Sequence, residues 1–273
     1  MGGHGLHTGV YVDVANIAMN GGFGMRFDVL RQFAAHDGAE VVRLNAYVVF
    51  DQERANRDSQ YNLGTNNFYS TLRDYGYKVI TKYVKRYKDD EGNVFSKANT
   101  DLEMAVDVLL QSEKLDKIIL CTGDGDFIQV VRALQNKGCS VELVAFENIS
   151  RDLRKEVDVF VSGYIVPNLL PVKNSPKPWG EPGSRVRGYC YEFKPDRNYG
   201  FLRYLNSLEG NLWITDTRHP RSPYQSVFFH EANLESALDT SRLPSRDIIF
   251  EFELALSKKE ELEARHIQVV CTL

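Results

Sequence analysis

Apolar and polar positions fall into two regimes along the chain. Up to about Val166, short apolar runs alternate with segments whose apolar residues recur at helical intervals; from Arg185 onward the recurrence is every second residue. The first run, GVYVDV (residues 9–14), is dense in the Val and Tyr that strands favour. The pattern then predicts a helix near residues 27–35, a strand over 40–50, and a longer helix over 59–75 that closes on Gly76. YKVITKYVKRY (residues 77–87) alternates apolar and basic residues, as a half-exposed strand does. Thr100 followed by Glu103 forms a capping box, so a helix is expected from there to about Ser112. The stretch KIILCTGDGDFIQVVRALQNKGCSVELVAF (residues 117–146) reads as strand, acidic turn, helix stopped at Gly138, and strand. A short helix (151–157) and an apolar run (160–166) complete an alternation that implies a mostly parallel sheet flanked by helices.

The composition then changes. Pro167, Pro171, Pro176, Pro178 and Pro182 crowd a stretch unable to form helix or central strand, so residues 167–184 read as an extended linker that Trp179 would pin to a domain. Beyond it, strands are expected at 185–193, 199–205, 211–215, 225–230, 247–255 and 265–271. That many short strands in so few residues suggest a small barrel, because an open sheet would leave edges. The expected organisation is therefore an α/β domain (8–166), the linker, and an all-β domain (185–273).

Hydrophobic residues at 43% and charged residues at 26% exclude disordered and fibrous classes. The net charge of -4 arises before the linker and the remainder is balanced, which argues against duplex binding through bulk positive charge. Cys121, Cys139, Cys190 and Cys271 lack zinc-site spacing and fit small core residues in a reducing compartment. There is neither a membrane-length apolar run nor a signal-peptide pattern, so a cytoplasmic protein is expected, with residues 2–9, including His4 and His7, as a flexible leader.

The candidate chemistry is acidic. If the strands starting at Gly9 and Lys117 are neighbours at a switch point, Asp13, Asn16, Asp124 and Asp126 converge at their carboxyl ends, and the start of the capped helix brings in Asp101. Carboxylates so placed repel unless cations hold them, and oxygen ligands suit Mg²⁺ or Mn²⁺, which orient phosphates and activate water. Each acid also has a bland reading, Asp13 as a turn former and Asp101 as a partner of the helix dipole. Asp107 is expected to be buried and to support the site at most. The segment with Lys78, Lys82, Lys85, Arg86 and Lys88 around Tyr83 and Tyr87 is either a lysine-protected edge strand or a ribbon that follows a phosphate backbone.

Three segments, VYVDVANIAMN, KANTDLEMAVDVL and CTGDGDFIQVVRALQNKG, resemble the successive motifs of NYN domains, the PIN-like metal-dependent ribonuclease fold, over about residues 8–165. The resemblance implies Asp13, Asn16, Asp101, Asp124 and Asp126 as the acidic site, with Lys97 contacting substrate phosphate. Ala98 stands where the family usually has glycine. NYGFL and SVFFHEANL resemble the two nucleic-acid-binding motifs of cold-shock domains, an oligonucleotide/oligosaccharide-binding (OB) barrel. That resemblance implies Tyr199, Phe201, Phe228 and His230 stacking on unpaired bases, although aromatic stripes are also what barrel cores contain. Glu192 replaces a usual tryptophan, Glu231 an aromatic, and the loop holding Arg218, His219 and Arg221 is long. The resulting expectation is a metal-dependent endoribonuclease for single-stranded RNA whose barrel assists binding, with Lys82, Lys85 and Arg86 as further RNA contacts. The alternative is a regulatory RNA-binding protein with a weak or inactive acidic site, its barrel serving protein contacts or self-association.

Overall fold

The computed structural model describes residues 5–88, 94–235, 238–257 and 259–273. The chain parts into two compact units. One runs up to Phe23 and continues through Ala39–Ala145 and Ile149–Phe160; the other gathers Gly24–Gly38, Phe146–Asn148 and Val161–Leu273.

A six-stranded sheet, all but the end of its last strand in the first unit, is made by β1 (His7–Asp13), β2 (Glu40–Phe50), β3 (Lys78–Tyr83), β6 (Lys117–Cys121), β7 (Ser140–Ala145) and β8 (Val159–Ser162), in the order β3-β2-β1-β6-β7-β8. β1 pairs in parallel with both β2 and β6, and the next pairs outward, β2 with β3 and β6 with β7, are parallel too. Val10, Tyr11, Val12 and Ile118–Cys121 are wholly buried, which is why these strands read as continuous apolar runs rather than alternating ones. The helices are α1 (Val14–Ile17), α3 (Gln52–Arg57), α4 (Ser59–Asp74), α5 (Asp101–Gln111), α6 (Ile128–Asn136) and α7 (Arg151–Glu156). Met104 and Val108 of α5 and Val131 and Leu134 of α6 pack with Tyr11, Leu120 and Leu143 of the strands into one core.

Two expectations change here. The first strand begins at His7, inside the expected leader, and Thr8 is fully buried against its neighbours. The basic segment is not one strand: Val84 N–H ends β3 by donating to Phe50 O (3.0 Å), and β4 (Lys85–Lys88) leaves the sheet to pair antiparallel with β5 (Val94–Lys97). Residues 89–93 lie outside the described residues.

The second unit holds α2 (Phe27–Ala34) and a closed barrel of β9 (Arg185–Lys194), β10 (Tyr199–Leu205), β11 (Tyr224–His230), β12 (Ser245–Leu256) and β13 (Leu262–Thr272), ordered β10-β11-β13-β12-β9. Neighbouring strands are antiparallel except β11 and β13, which meet in parallel. Val186, Cys190, Phe193, Leu202, Tyr204, Phe229, Phe250 and Phe252 fill the interior. Residues 211–215 are not a sixth strand. Their backbone bonds stay local, Ile214 N–H to Asn211 O and Thr215 N–H to Trp213 O, and Trp213 is 63% exposed. Trp179 anchors the proline-rich stretch to the barrel through Nε1–H to Leu205 O (2.8 Å).

Candidate functional site

The strand order reverses between β1 and β6, since β2 and β3 extend the sheet on one side and β7 and β8 on the other. Sheets of this kind place ligands in the crevice at the carboxyl ends of the two strands flanking that point. Asp13 is the last residue of β1, and Thr122, Gly123 and Asp124 follow the last residue of β6, whose Cys121 is in register with Val12.

Local hydrogen bonds fix these side chains. Asp13 Oδ1 accepts from Asn16 N–H (3.0 Å), capping α1. Asn16 Oδ1 accepts from Gly123 N–H (2.8 Å), so this amide ties the turn after β1 to the turn after β6. Asp124 N–H donates to Thr122 Oγ1 (3.2 Å), and Asp124 Oδ1 accepts from Asp126 N–H (2.9 Å), capping the short 3₁₀ turn Gly125–Phe127. Asp101 opens α5, its N–H donating to Asn99 Oδ1 (2.9 Å).

The expected capping box is not what starts that helix. Thr100 makes no side-chain cap and is buried, Asn99 supplies the acceptor, and Glu103 is turned to Lys82. Asp107, farther along α5, accepts from Tyr47 Oη–H (2.9 Å).

Asp13, Asp101 and Asp124 are close enough to act on one another. Asp13 is only 6% exposed, and its acid is pushed up to about 6, first by burial and then by Asp101 and Asp124, against the opposing pull of Asn16 N–H. Asp101 is also raised, by burial first, with Asp124 and Asp126 adding to it; its hydrogen bond with Asp13 acts in the other direction. As the pH falls to about 6 the Asp13 carboxyl is therefore the one of the pair to take up a proton, and in that form it donates to Asp101. Asp126 is exposed and opens onto a cleft of about 520 Å³ whose wall includes Gln129, Arg132 and Lys155. Among the described residues, no three His, Cys, Asp or Glu side chains are gathered tightly enough to enclose an ion as they stand.

The basic segment is neutralised at two of its positions. Lys82 pairs with Glu103, and Arg86 with Asp51 and with Glu53 (3.1 Å). Lys85 is exposed and has no ion pair among the described residues. The backbone of Lys97 closes β5, and its side chain lies outside the described residues.

On the barrel, β10 and β11 place Tyr199 opposite His230 and Phe201 opposite Phe228. All four lie on the outer face, because the alternate residues Gly200, Leu202, Val227 and Phe229 are buried. The Tyr199 ring lies 5.6 Å from Phe228 and 6.2 Å from Phe201, and Phe201 lies 6.0 Å from Phe228. His230 Nδ1 accepts from Ala232 N–H (3.1 Å), so the neutral ring carries its proton on Nε2. Gly200 lets β10 pack closely here, since a Cβ there would collide with Glu192 O and the Phe229 ring.

Two members of this face were not expected from the sequence. In β9 the register passes from Phe201↔Glu192 to Leu202↔Cys190, a bulge that turns both Cys190 and Phe193 inward and leaves Tyr191 outside. Tyr191 and Phe193, two residues apart in sequence, thereby come to face opposite sides of the strand. The Tyr191 ring sits 6.3 Å from Phe201, and the Arg203 guanidinium lies 4.3 Å over it. Nothing in the local sequence signals the bulge. In the long loop, Arg218 is taken up by Asp216 (2.9 Å), and Arg221 N–H donates to His219 Nδ1 (3.1 Å).

Comparison with known proteins places these features among relatives. The model of the NYN domain matches residues 7–169. The "low amplitude and bright protein LabA" of Synechococcus elongatus is 30% identical over 163 residues, 59% of this chain and 83% of that protein. A crystal structure of a protein of unknown function from Vibrio parahaemolyticus is 23% identical with a TM-score of 0.48, covering 59% of this chain and 95% of its own. Among the described residues no helix is long and apolar enough to cross a membrane.

Proposed function

The chain belongs to the NYN-domain family, and from that premise we propose that it is a metal-dependent endoribonuclease that cuts single-stranded RNA at the Asp13–Asp101–Asp124 cluster. Domains of this family are generally nucleases, which supports the reaction class. The observation that carries the reading is the meeting of carboxylates at the switch point, where burial first, and then Asp101 and Asp124, push the Asp13 acid up to about 6. Such a group is unfavourable until protons or a cation neutralise it.

The donors fit a hard divalent ion in kind. They are carboxylate oxygens on three different elements, the set that suits Mg²⁺ or Mn²⁺. In this reading Asp13, Asp101 and Asp124 hold the ion, with Asp126 beside the cleft. A bound ion of this type supplies Lewis-acid stabilisation of phosphate charge and a more acidic water. The protein's own part is positional: Asn16 keeps the Gly123 turn in register with Asp13, and Asp124 orders the turn that carries Asp126. Lys85 and Lys97 serve as phosphate contacts. Cys121 does not act as a nucleophile, being fully buried with its thiol pushed far up by desolvation.

The five-stranded order, with one parallel contact, supports an OB-like reading of the barrel, and the outer-face rings Tyr199, Phe201, Phe228 and His230 support base stacking. Residues 8–166 would then cut, 167–184 connect, and 185–273 hold the RNA.

The alternative, a regulatory RNA-binding protein with a weak site, draws on one observation: among the described residues, no carboxylate group is closed around an ion-sized space as it stands. Incubating the purified full chain with end-labelled single-stranded RNA, in Mn²⁺ or in EDTA, separates the two. Cutting that requires Mn²⁺ and is lost in Asp124→Asn supports the nuclease. RNA binding without metal-dependent cutting supports the alternative.

A further inference from the structure

We propose that Tyr191 and Arg203 form an additional nucleotide station on the barrel, taking one base against Tyr191 and the adjoining phosphate on Arg203. The proposal rests on the reading that the barrel holds single-stranded RNA, and it extends the binding track beyond the four rings already assigned. Along β10, Tyr199, Phe201 and Arg203 are successive outer-face residues, so Arg203 lies where a strand leaving the rings next arrives. Its partner across the ladder on β11 is the exposed Ser226, which leaves that flank open. The β9 bulge supplies the second component by bringing Tyr191 to the edge of Phe201.

Arg203 differs in its charge balance from three other arginines of the barrel, and shares its lack of an ion pair among the described residues with Arg246, which lies 5.8 Å over Tyr189. Arg185 and Arg187 share Glu251, and Arg265 faces Glu263, whereas Arg203 has no ion pair among the described residues. Its Nε is buried without a hydrogen-bond partner, and its guanidinium is held over the Tyr191 ring. A cation fixed by an aromatic ring, with no carboxylate to neutralise it, is pre-organised for a phosphate. Glu192, by contrast, pairs with Lys194 (2.9 Å), so the acid on the same strand does not cancel Arg203.

The test is equilibrium binding of the full chain to a fluorescent 12-nucleotide oligouridylate in EDTA, over a series of KCl concentrations. Arg203→Gln is expected to flatten the slope of log K against log salt by about 0.7, the value for one phosphate contact on a single strand. Arg203→Lys is expected to restore most of that slope. Tyr191→Ala is expected to weaken binding about fivefold or more while leaving the slope in place, and Tyr191→Phe to bind as the parent does. Phe228→Ala is the reference. If the parent does not bind, or Phe228→Ala binds equally well, the barrel reading falls and the station with it. If Phe228→Ala weakens binding but Arg203→Gln and Tyr191→Ala match the parent in affinity and slope, the station alone is overturned. Should Tyr191→Ala not fold, the Arg203→Gln slope decides.

Discussion

Asp13 at the end of β1 and Asp101 at the start of α5 share a proton below about pH 6, with Asp13 as the donor, at the point where the strand order reverses. The proton stays on Asp13 because that residue is the more buried of the two. Above about pH 6 that proton is lost and the carboxylates are left to repel one another, which is the charge a cation would neutralise.

This pair gives stability a definite pH dependence. The Asp13 acid lies near 6 when folded and near 4 when unfolded, so the folded chain binds the proton more tightly. The contribution is fully present below about pH 4 and is lost as the pH rises through 6, amounting to roughly 3 kcal/mol. Asp13→Asn keeps the acceptor for Asn16 N–H and removes the charge. Urea unfolding in EDTA is expected to show it more stable than the parent at pH 7.5, by up to about that amount, and nearly equal at pH 4. A parent and variant with the same pH profile would contradict the shared proton.

Asn16 is the brace between the two acidic turns. Asn16→Ala leaves Gly123 N–H without its acceptor and is expected to cost about 1–3 kcal/mol in urea unfolding, the range for an orphaned part-buried donor. If Asn16 did not brace the turns, the substitution would be neutral for stability.

Lys82, Lys85 and Arg86 are expected to separate on RNA. Lys85→Ala should lower the salt slope of RNA binding by about 0.7, whereas Lys82→Ala should change it little, because Glu103 already holds that ammonium. Equal effects of the two substitutions would mean that the Lys82–Glu103 pair opens on binding.

Gly200 lets β10 approach β9 closely. Gly200→Ala forces a methyl against Glu192 O and Phe229, and is expected to destabilise the chain by about 1–3 kcal/mol and to reduce RNA affinity together with it, read by thermal unfolding and by binding on the same samples. Unchanged stability would show that the strands part without cost.

Much of the first unit was legible because its signals are local. Buried parallel strands are short apolar runs, and acids at their ends follow at once in the chain, as Asp13 follows Val12 and Asp124 follows the turn after Cys121. What escaped depended on distant partners. Thr100 and Glu103 have capping-box spacing, yet Lys82, far off in sequence, claims the glutamate. The basic ribbon looked free for phosphate because its counter-charges, Asp51, Glu53 and Glu103, come from elsewhere in the chain. Residues 211–215 carry strand-forming side chains but have no neighbouring strand to receive their backbone. Tyr191 faces outward only because β9 has a bulge opposite β10, a register property that no period-two pattern contains.

The central claim is that Asp13, Asp101 and Asp124 bind a divalent cation. Crystals soaked in millimolar MnCl₂ near pH 7.5, with diffraction recorded at the manganese edge, test it most directly. The expected result is an anomalous peak bounded by these three carboxylates, absent from crystals of Asp124→Asn. A well-diffracting parent crystal with the carboxylates accessible and no manganese between them would contradict the account.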